Sequence, residues 1–412
     1  MRPPTGWSRS ASRCTRVSTE EVRSFTIAER RNRLARRHFL APDTADEPIA
    51  RIAATLVGLH ATDPATPYLS LWARRSEFAV ADLSDAFYEK RSLVKHLAMR
   101  RTLWVFDPAD LPAVQAAASD RVADTERRRL IAEVAKSGVA DDGEQWLTRA
   151  GAAVLRHLDE HGPASSIALR AALPELAGTY DPAPGKSYGG QTHLAPRALT
   201  VLGAQGHIVR GPNDGGWTSS RPQWATATSW LGESATAMTA EPAQAHLIRT
   251  WLRAFGPATA EDIKWWFGTT KTVVRRALSE ISAVDVDLHG TPGYALADDL
   301  EPEPEPEPWG ALLPGLDVTT MGWYHRDWYL GEHRGQLFDN NGNAGPTVWW
   351  NGRIVGGWYQ NAAAEVQLKL LEDPGRAACE VLTRRAQELT GWLDGVRVPP
   401  RFPSPLVKAA PR

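Results

Sequence analysis

A chain of 412 residues, 42% hydrophobic and 23% charged, has the composition of an ordinary folded protein and length for two to four domains. No apolar run is long enough to cross a bilayer, and Cys14 and Cys379 stand in unrelated contexts that imply no disulfide framework, so the expected location is the cytoplasm. The net charge of −1 argues against a strongly basic nucleic-acid binder on average, but Asp298, Asp299, Glu301, Glu303, Glu305 and Glu307 concentrate acid in one stretch. The remainder is basic in short blocks, which permits DNA binding without requiring it.

Residues 1–25 read as a disordered basic tail, with Arg2, Arg9, Arg13 and Arg16 and no apolar core of a secretory signal. Translation counted from too early a start is the alternative. Residues 26–140 read as a first winged-helix unit. Thr26 to Leu40 is a basic helix ended by Pro42, and a second helix runs from about Pro48 into Gly58–Pro67. That stretch carries His60, Thr62 and Asp63 at the end of an apolar run (Ile52, Ala53, Leu56, Val57, Leu59) and just before the aromatic-rich Tyr68-Leu-Ser-Leu-Trp72. A third helix is expected through Ala86, Phe87, Tyr88, Leu93, Val94, Leu97 and Met99, followed by a strand at Thr102–Phe106.

The pattern then repeats. A second unit, 145–222, has helices at Thr148–His161, Ile167–Leu173 and about Thr192–Gln205. Its hairpin runs from Gly206 through a Pro212-Asn-Asp-Gly-Gly216 turn into Trp217-Thr-Ser-Ser. A third unit, 240–298, has helices at His246–Phe255, from Ala260 with Thr259 as N-cap, and at Lys271–Leu278, then strands at Val284–Leu288 and Tyr294–Ala297. The punctuation Gly-Pro-Ala-Ser at Gly162 returns as Gly-Pro-Ala-Thr at Gly256, and repetition of a whole unit outweighs either copy alone. Residues 299–308 form an extended, self-repelling acidic Glu-Pro linker. Residues 309–373 form an antiparallel β domain, with strands at Gly335–Phe338, Pro346–Trp350 and Arg353–Trp358, and a C-terminal helix occupies 374–395. The expected fold class is mainly α with β wings (α+β): tandem winged helix-turn-helix units, then a small antiparallel β domain and a C-terminal helix.

In a winged helix the third helix enters the major groove and the wing meets phosphate or minor groove. Candidate DNA contacts by position are Lys90, Arg91, Lys95, Arg100 and Arg101 in the first unit, Arg197 in the second, and Lys271, Arg275 and Arg276 in the third. The plainer alternative for each is a solubilising surface charge. His157 and His161 have helical spacing but no further ligand in reach, so no metal is expected. No phosphate-binding glycine loop is present and no cofactor is implied.

The segments Ala35-Arg-Arg-His-Phe-Leu40, Gly58-Leu-His-Ala-Thr-Asp-Pro64 and Leu69-Ser-Leu-Trp-Ala-Arg74 resemble the winged-helix DNA glycosylases of the AlkZ/YcaQ type. Leu313-Pro-Gly-Leu-Asp317, Asp339-Asn-Asn-Gly342 and Gly352-Arg-Ile-Val-Gly-Gly-Trp358 are similar to that family's C-terminal β unit. The resemblance spans about residues 28–395 and implies a concave DNA-binding surface. It also implies that a Gln-x-Gln or Gln-x-Asp catalytic signature, which positions a water against the sugar carbon, falls on His60-Ala61-Thr62, where neither glutamine is present. The catalytic candidates are therefore His60, Thr62 and Asp63. Neutral His60 can accept a proton from water, Thr62 can bond that water, and Asp63 can stabilise developing positive charge, or simply cap a turn. The helix end before His60 is expected to favour its protonated form. The expected function is a monomeric, nucleoid-associated double-stranded DNA-binding protein acting as a variant glycosylase on alkylated or cross-linked purines. A non-catalytic damage sensor or regulator, and a protein-interaction scaffold, are the alternatives.

Overall fold

The chain, as a computed structural model, is described for residues 22–44, 46–185, 189–232 and 236–411. Residues 1–21 of the expected basic tail lie outside the described residues. Helix α1 (Ile27–Arg37) opens on a reciprocal capping box between Thr26 and Glu29. Its arginines do not face solvent. Arg33 and Arg37 pair with Asp299 at 3.2 and 2.6 Å, Arg37 also holds Glu303 at 2.8 Å, and Arg36 donates to the Pro304 carbonyl at 3.0 Å. The acidic stretch and the basic helix thus neutralise each other.

After α2 (Ile49–Thr55) come β1 (Leu59–His60), α3 (Thr66–Trp72), α4 (Val80–Tyr88), β2 (Val94–Leu97) and β3 (Leu103–Phe106). The three strands form an antiparallel sheet in the order β1-β3-β2. The expected helix through Met99 is corrected: it ends at Tyr88, and Leu93–Leu97 is extended. Arg91 takes a positive φ of 52° that breaks the helix, and the apolar run beyond it pairs with β3. Next, α5 (Leu111–Val114), a π-type turn at Gln115–Ser119 and α6 (Asp120–Lys136) lead to the second unit. The sequence reading assigned these helices to no element.

The second unit contains α7 (Gly143–His161), β4 (Ala164–Ser165), α8 (Ser166–Ala172), the short pair β5 (Thr179–Tyr180) and β6 (Thr192–His193), α9 (Ala195–Ala204), β7 (Ile208–Asn213) and β8 (Pro222–Thr226). Its hairpin returns later than expected. Gly215 and Gly216, both at positive φ, turn the chain outward, so that Trp217 leaves the hairpin to pack on Tyr68 and Trp392 at 5.2 and 5.7 Å. Helix α10 (Ala227–Leu231) follows. The third unit has the same order: α11 (Ala240–Phe255), α12 (Ala260–Phe267), α13 (Lys271–Glu280) and a hairpin of β9 (Ala283–Asp287) and β10 (Pro292–Leu296). Thr259 and Asp262 form the expected cap of α12, and Asp262 also accepts the Tyr324 and His325 N–H groups at 2.9 Å.

The last part comprises β11 (Gly310–Leu313), the single turns α14 (Asp327–Leu330) and α15 (Arg334–Leu337), β12 (Thr347–Trp350), β13 (Arg353–Gln360), β14 (Val366–Leu370), α16 (Arg376–Leu393) and α17 (Pro405–Lys408). The four strands lie in sequential antiparallel order. Gly335–Phe338, expected as a strand, is one helical turn that buries Leu337; Phe338 alone bridges to Ala344 across the Asp339 turn. No helix of the described residues is long and apolar enough to cross a membrane.

Packing divides the molecule unevenly. The second unit has its own core around Leu130, Val154, Leu199 and Trp224. The first unit, the third unit and the β domain share one core, with Trp104, Trp251, Trp266 and Trp349 fully buried in it. At its centre Asp317 takes both forks of Arg74 at 2.8 Å and the Ser70 hydroxyl at 2.6 Å, while the Thr66 hydroxyl donates to the Gly315 carbonyl. Leu313–Asp317 is therefore seated against α3, which is why motifs from the two ends of the chain form one structure.

Candidate active site

Gly58 takes φ of 100°, and a Cβ there would meet the Phe106 ring at 2.8 Å. Glycine at this position lets the chain leave α2 and enter β1 against β3. Register then sorts the side chains. His60, Trp104 and His96 lie opposite one another and share one face of the sheet; Leu59, Val105 and Lys95 share the other, as do Leu103 and Leu97.

His60 is on the dry face. Its ring sits 5.0 Å from that of Trp104, and burial, reinforced by the positive charge of Arg100 and opposed by Asp317, pushes its pKa down to about 3. The expectation of a protonated His60 is thereby corrected: the residue belongs to a buried strand and not to a helix end. Its Nδ1 accepts the Thr62 backbone N–H at 3.4 Å.

On the other face is a cavity of about 300 Å³ lined by Ala61, Thr62, Lys95, Arg101, Arg210 and Arg401 among others. His60 and Asp63 are not part of its lining. Thr62 Oγ1 accepts the Leu103 N–H at 3.0 Å, so its hydroxyl proton remains available to a ligand. Asp63 is held from two sides, by the Ala65 N–H at 3.2 Å and the Arg401 N–H at 2.8 Å. Burial nevertheless pushes its pKa up. Its present work is to cap a turn and fix the C-terminal segment.

The charge in this cavity is one-sided. Lys95 is only 6% exposed; its Nζ bonds to the Tyr88 hydroxyl at 2.8 Å and lies 4.4 Å from the centre of the Phe87 ring. Burial and the nearby Arg210 push the Lys95 pKa down to about 7. Arg210, stacked on Trp224 at 4.5 Å, is pushed to about 10 by burial and Arg401. No carboxylate contributes to either shift. Arg101 at the rim is different, since it pairs with Glu126 at 3.1 Å.

The other predicted contacts are scattered. Lys90 is exposed beyond α4, whereas Arg91 is clamped to the second unit, over Trp230 at 4.3 Å and donating to the Ser229 and Trp230 carbonyls. Arg100 stacks on Trp265 at 4.2 Å. Arg197 is taken up by Glu133 at 2.9 Å and Glu126 at 3.4 Å. On α13, Lys271 and Arg275 are exposed, and Arg276 bonds to Glu241 and to Gln244. The cavity thus unites Thr62, Lys95 and Arg101 and leaves the rest outside. Sequence reasoning missed Arg210, hidden in what read as a wing strand, and Arg401, beyond the last expected element in a proline-rich run. Among the described residues no group of three His, Cys, Asp or Glu is arranged to hold a metal.

Residues 53–392 match the family described as DNA glycosylase AlkZ-like. The chain is 28% identical over 170 residues to an interstrand DNA cross-link repair glycosylase of Streptomyces sahachiroi, an alignment covering 39% of this chain and 45% of that protein. It therefore spans a little under half the length of that curated relative. The solved structure of Streptomyces sahachiroi DNA glycosylase AlkZ superposes with a TM-score of 0.69 at 20% identity, covering 92% of this chain and 99% of the other, so the two share a mixed α/β fold of helices and small antiparallel sheets. With most of its length matched, this chain belongs to the AlkZ-like DNA glycosylase family.

Proposed function

We propose that the protein hydrolyses the N-glycosidic bond of alkylated or cross-linked purines in double-stranded DNA, with the strand held in the cavity beside Thr62. The observation that carries this is the pair of cations without acidic partners, Lys95 and Arg210, next to the segment where the family keeps its catalytic pair. In this reading the three helix–helix–helix or helix–sheet units are winged helices, α13 presents Lys271, Arg275 and Arg276 to the duplex, and the protein works as a monomer at the nucleoid.

The charges define the division of labour. Cleavage of a glycosidic bond develops positive charge on the sugar, which Lys95, Arg210 and Arg401 would repel if they faced it alone. Phosphates on either side of the lesion reverse that balance, so these cations are read as backbone holders. A purine alkylated at N3 or N7 already carries positive charge and leaves readily, so the site has to orient a water more than activate it. The Thr62 hydroxyl is placed to do so. His60 and Asp63 act as positioning residues, His60 through the Thr62 N–H and Asp63 through Arg401.

The test is incubation with duplex carrying an N3- or N7-alkylated purine, followed by detection of abasic sites. Release by the native protein and a slowing of about a hundredfold in Thr62→Ala are expected. Absence of release at any protein concentration overturns the proposal. The second reading, a damage sensor or regulator without catalysis, is favoured by the burial of His60 and the engagement of Asp63 away from the cavity. It predicts salt-sensitive duplex binding with no base release.

A further inference from the structure

Lys95 is poorly explained as a phosphate holder alone. A residue whose task is to carry charge is normally exposed or paired with a carboxylate; this one is almost fully buried, between the Phe87 and Tyr88 rings, with a neutral hydroxyl as its hydrogen-bond partner. Its neighbours in the cavity are further cations. An apolar enclosure plus an adjacent positive charge is the environment that turns an ammonium into a free amine near neutral pH. The shift of Lys95 to about 7 is in line with that geometry. Arg210 and Arg401 cannot lose their protons under such conditions. Of the three cations, Lys95 is therefore the one fitted for nucleophilic chemistry.

We propose that the Lys95 amine forms an imine with the C1′ aldehyde of an abasic deoxyribose held in the cavity beside Thr62. The inference rests on the proposed glycosylase reading in that such a sugar is the product of base release. The neutral Nζ adds to the carbonyl carbon of the ring-opened sugar, a proton moves from nitrogen to oxygen, and the carbinolamine takes up a second proton from solvent on that oxygen and expels it as water to leave the protonated imine. The imine then acidifies C2′: the C2′ proton passes to water, its bonding pair forms the C2′–C3′ double bond, and the C3′–O bond breaks with the 3′-phosphate as leaving group. Hydrolysis of the imine returns Lys95. The reaction class is β-elimination at an abasic site, and no oxidant or reductant enters it.

The experiment uses the full chain and a labelled duplex with one preformed abasic site, so that base release is not needed. Sodium borohydride reduces an imine to a stable amine and leaves a covalent protein–DNA adduct. The native protein is expected to give this adduct, with the modified residue mapping to Lys95 by mass spectrometry of the digested complex. Lys95→Met and Lys95→Arg are expected to reduce it to background, while Arg197→Ala, outside the cavity and already paired with Glu126 and Glu133, retains both the adduct and duplex binding. An absence of adduct with the native protein overturns the inference, and so does an undiminished adduct in Lys95→Met. If base release from alkylated duplex fails while trapping succeeds, the glycosylase reading alone falls. If release succeeds while trapping fails, the imine alone falls.

Discussion

Two clusters of charge flank the His60–Asp63 segment, and they are built on opposite principles. On one side Arg74 and Asp317 meet in a two-pronged pair, with Ser70, Thr319 and the His38 carbonyl completing the bonds. On the other, Lys95, Arg210 and Arg401 share a cavity, and no carboxylate acts on Lys95 or Arg210. Charge buried in either is costly. The first cluster offsets that cost internally, and it joins α3 to the β domain. The second leaves it open, which makes sense where the counter-charge arrives with a ligand. Charge balance, more than charge content, separates scaffold from site in this molecule.

Breaking the balanced cluster should have the largest effect. Asp317→Asn or Arg74→Ala strands one buried partner and is expected to lower stability by about 3–5 kcal/mol, read by chemical denaturation. Replacing both together with Arg74→Met and Asp317→Leu should restore much of that loss. Equal destabilisation by the double and single variants would show that the pair's geometry, and not the stranded charge, holds the domains.

The unbalanced cluster should respond in the reverse sense. Arg210→Met removes a buried charge without stranding an opposite one, so stability is expected to hold or rise slightly while duplex affinity falls. The slope of log affinity against log salt should become shallower by about 1 if one phosphate contact is lost. A fall in stability comparable to that of Asp317→Asn would erase the contrast. Arg197→Ala is the matching control: already paired with Glu126 and Glu133, it should leave the salt slope unchanged.

The smallest effect concerns pH. Lys95 has a folded pKa of about 7 against an unfolded value near 10.5. Between those values the unfolded chain binds more protons than the folded one, so stability should rise as pH increases through this window. The groups facing Lys95 are Tyr88, whose ionisation is pushed upward by burial, and Arg210, pushed to about 10. Denaturation midpoints from pH 7 to 9 should climb in the native protein and flatten in Lys95→Met. Identical profiles would mean that Lys95 keeps its proton in the folded state.

The legible parts of the sequence were those with local punctuation. Gly256-Pro-Ala-Thr and the Thr259 cap announced α12, and the alternation around Gly290–Gly293 announced the β9–β10 hairpin. The first unit was misread where Lys95 and His96 interrupt an apolar run. Polar residues inside Leu93–Met99 look like an exposed helix face, yet they are enclosed by elements far away in sequence. The motif at His60–Asp63 was locatable from sequence, but which face of a strand each side chain takes depends on its pairing with β3. Arg401 was beyond reach for the same reason. Its contact with Asp63 crosses 338 positions, and no local pattern encodes such a meeting.

The most direct test of the central claim is abasic-site formation on N7-alkylated duplex, compared at equal folded fraction for the native protein and for Arg210→Met. Base release by the native chain is expected, with release at least about tenfold slower in the variant and recovered in part at low salt, where other phosphate contacts strengthen. Equal rates in the two proteins, or no release from either, would contradict it.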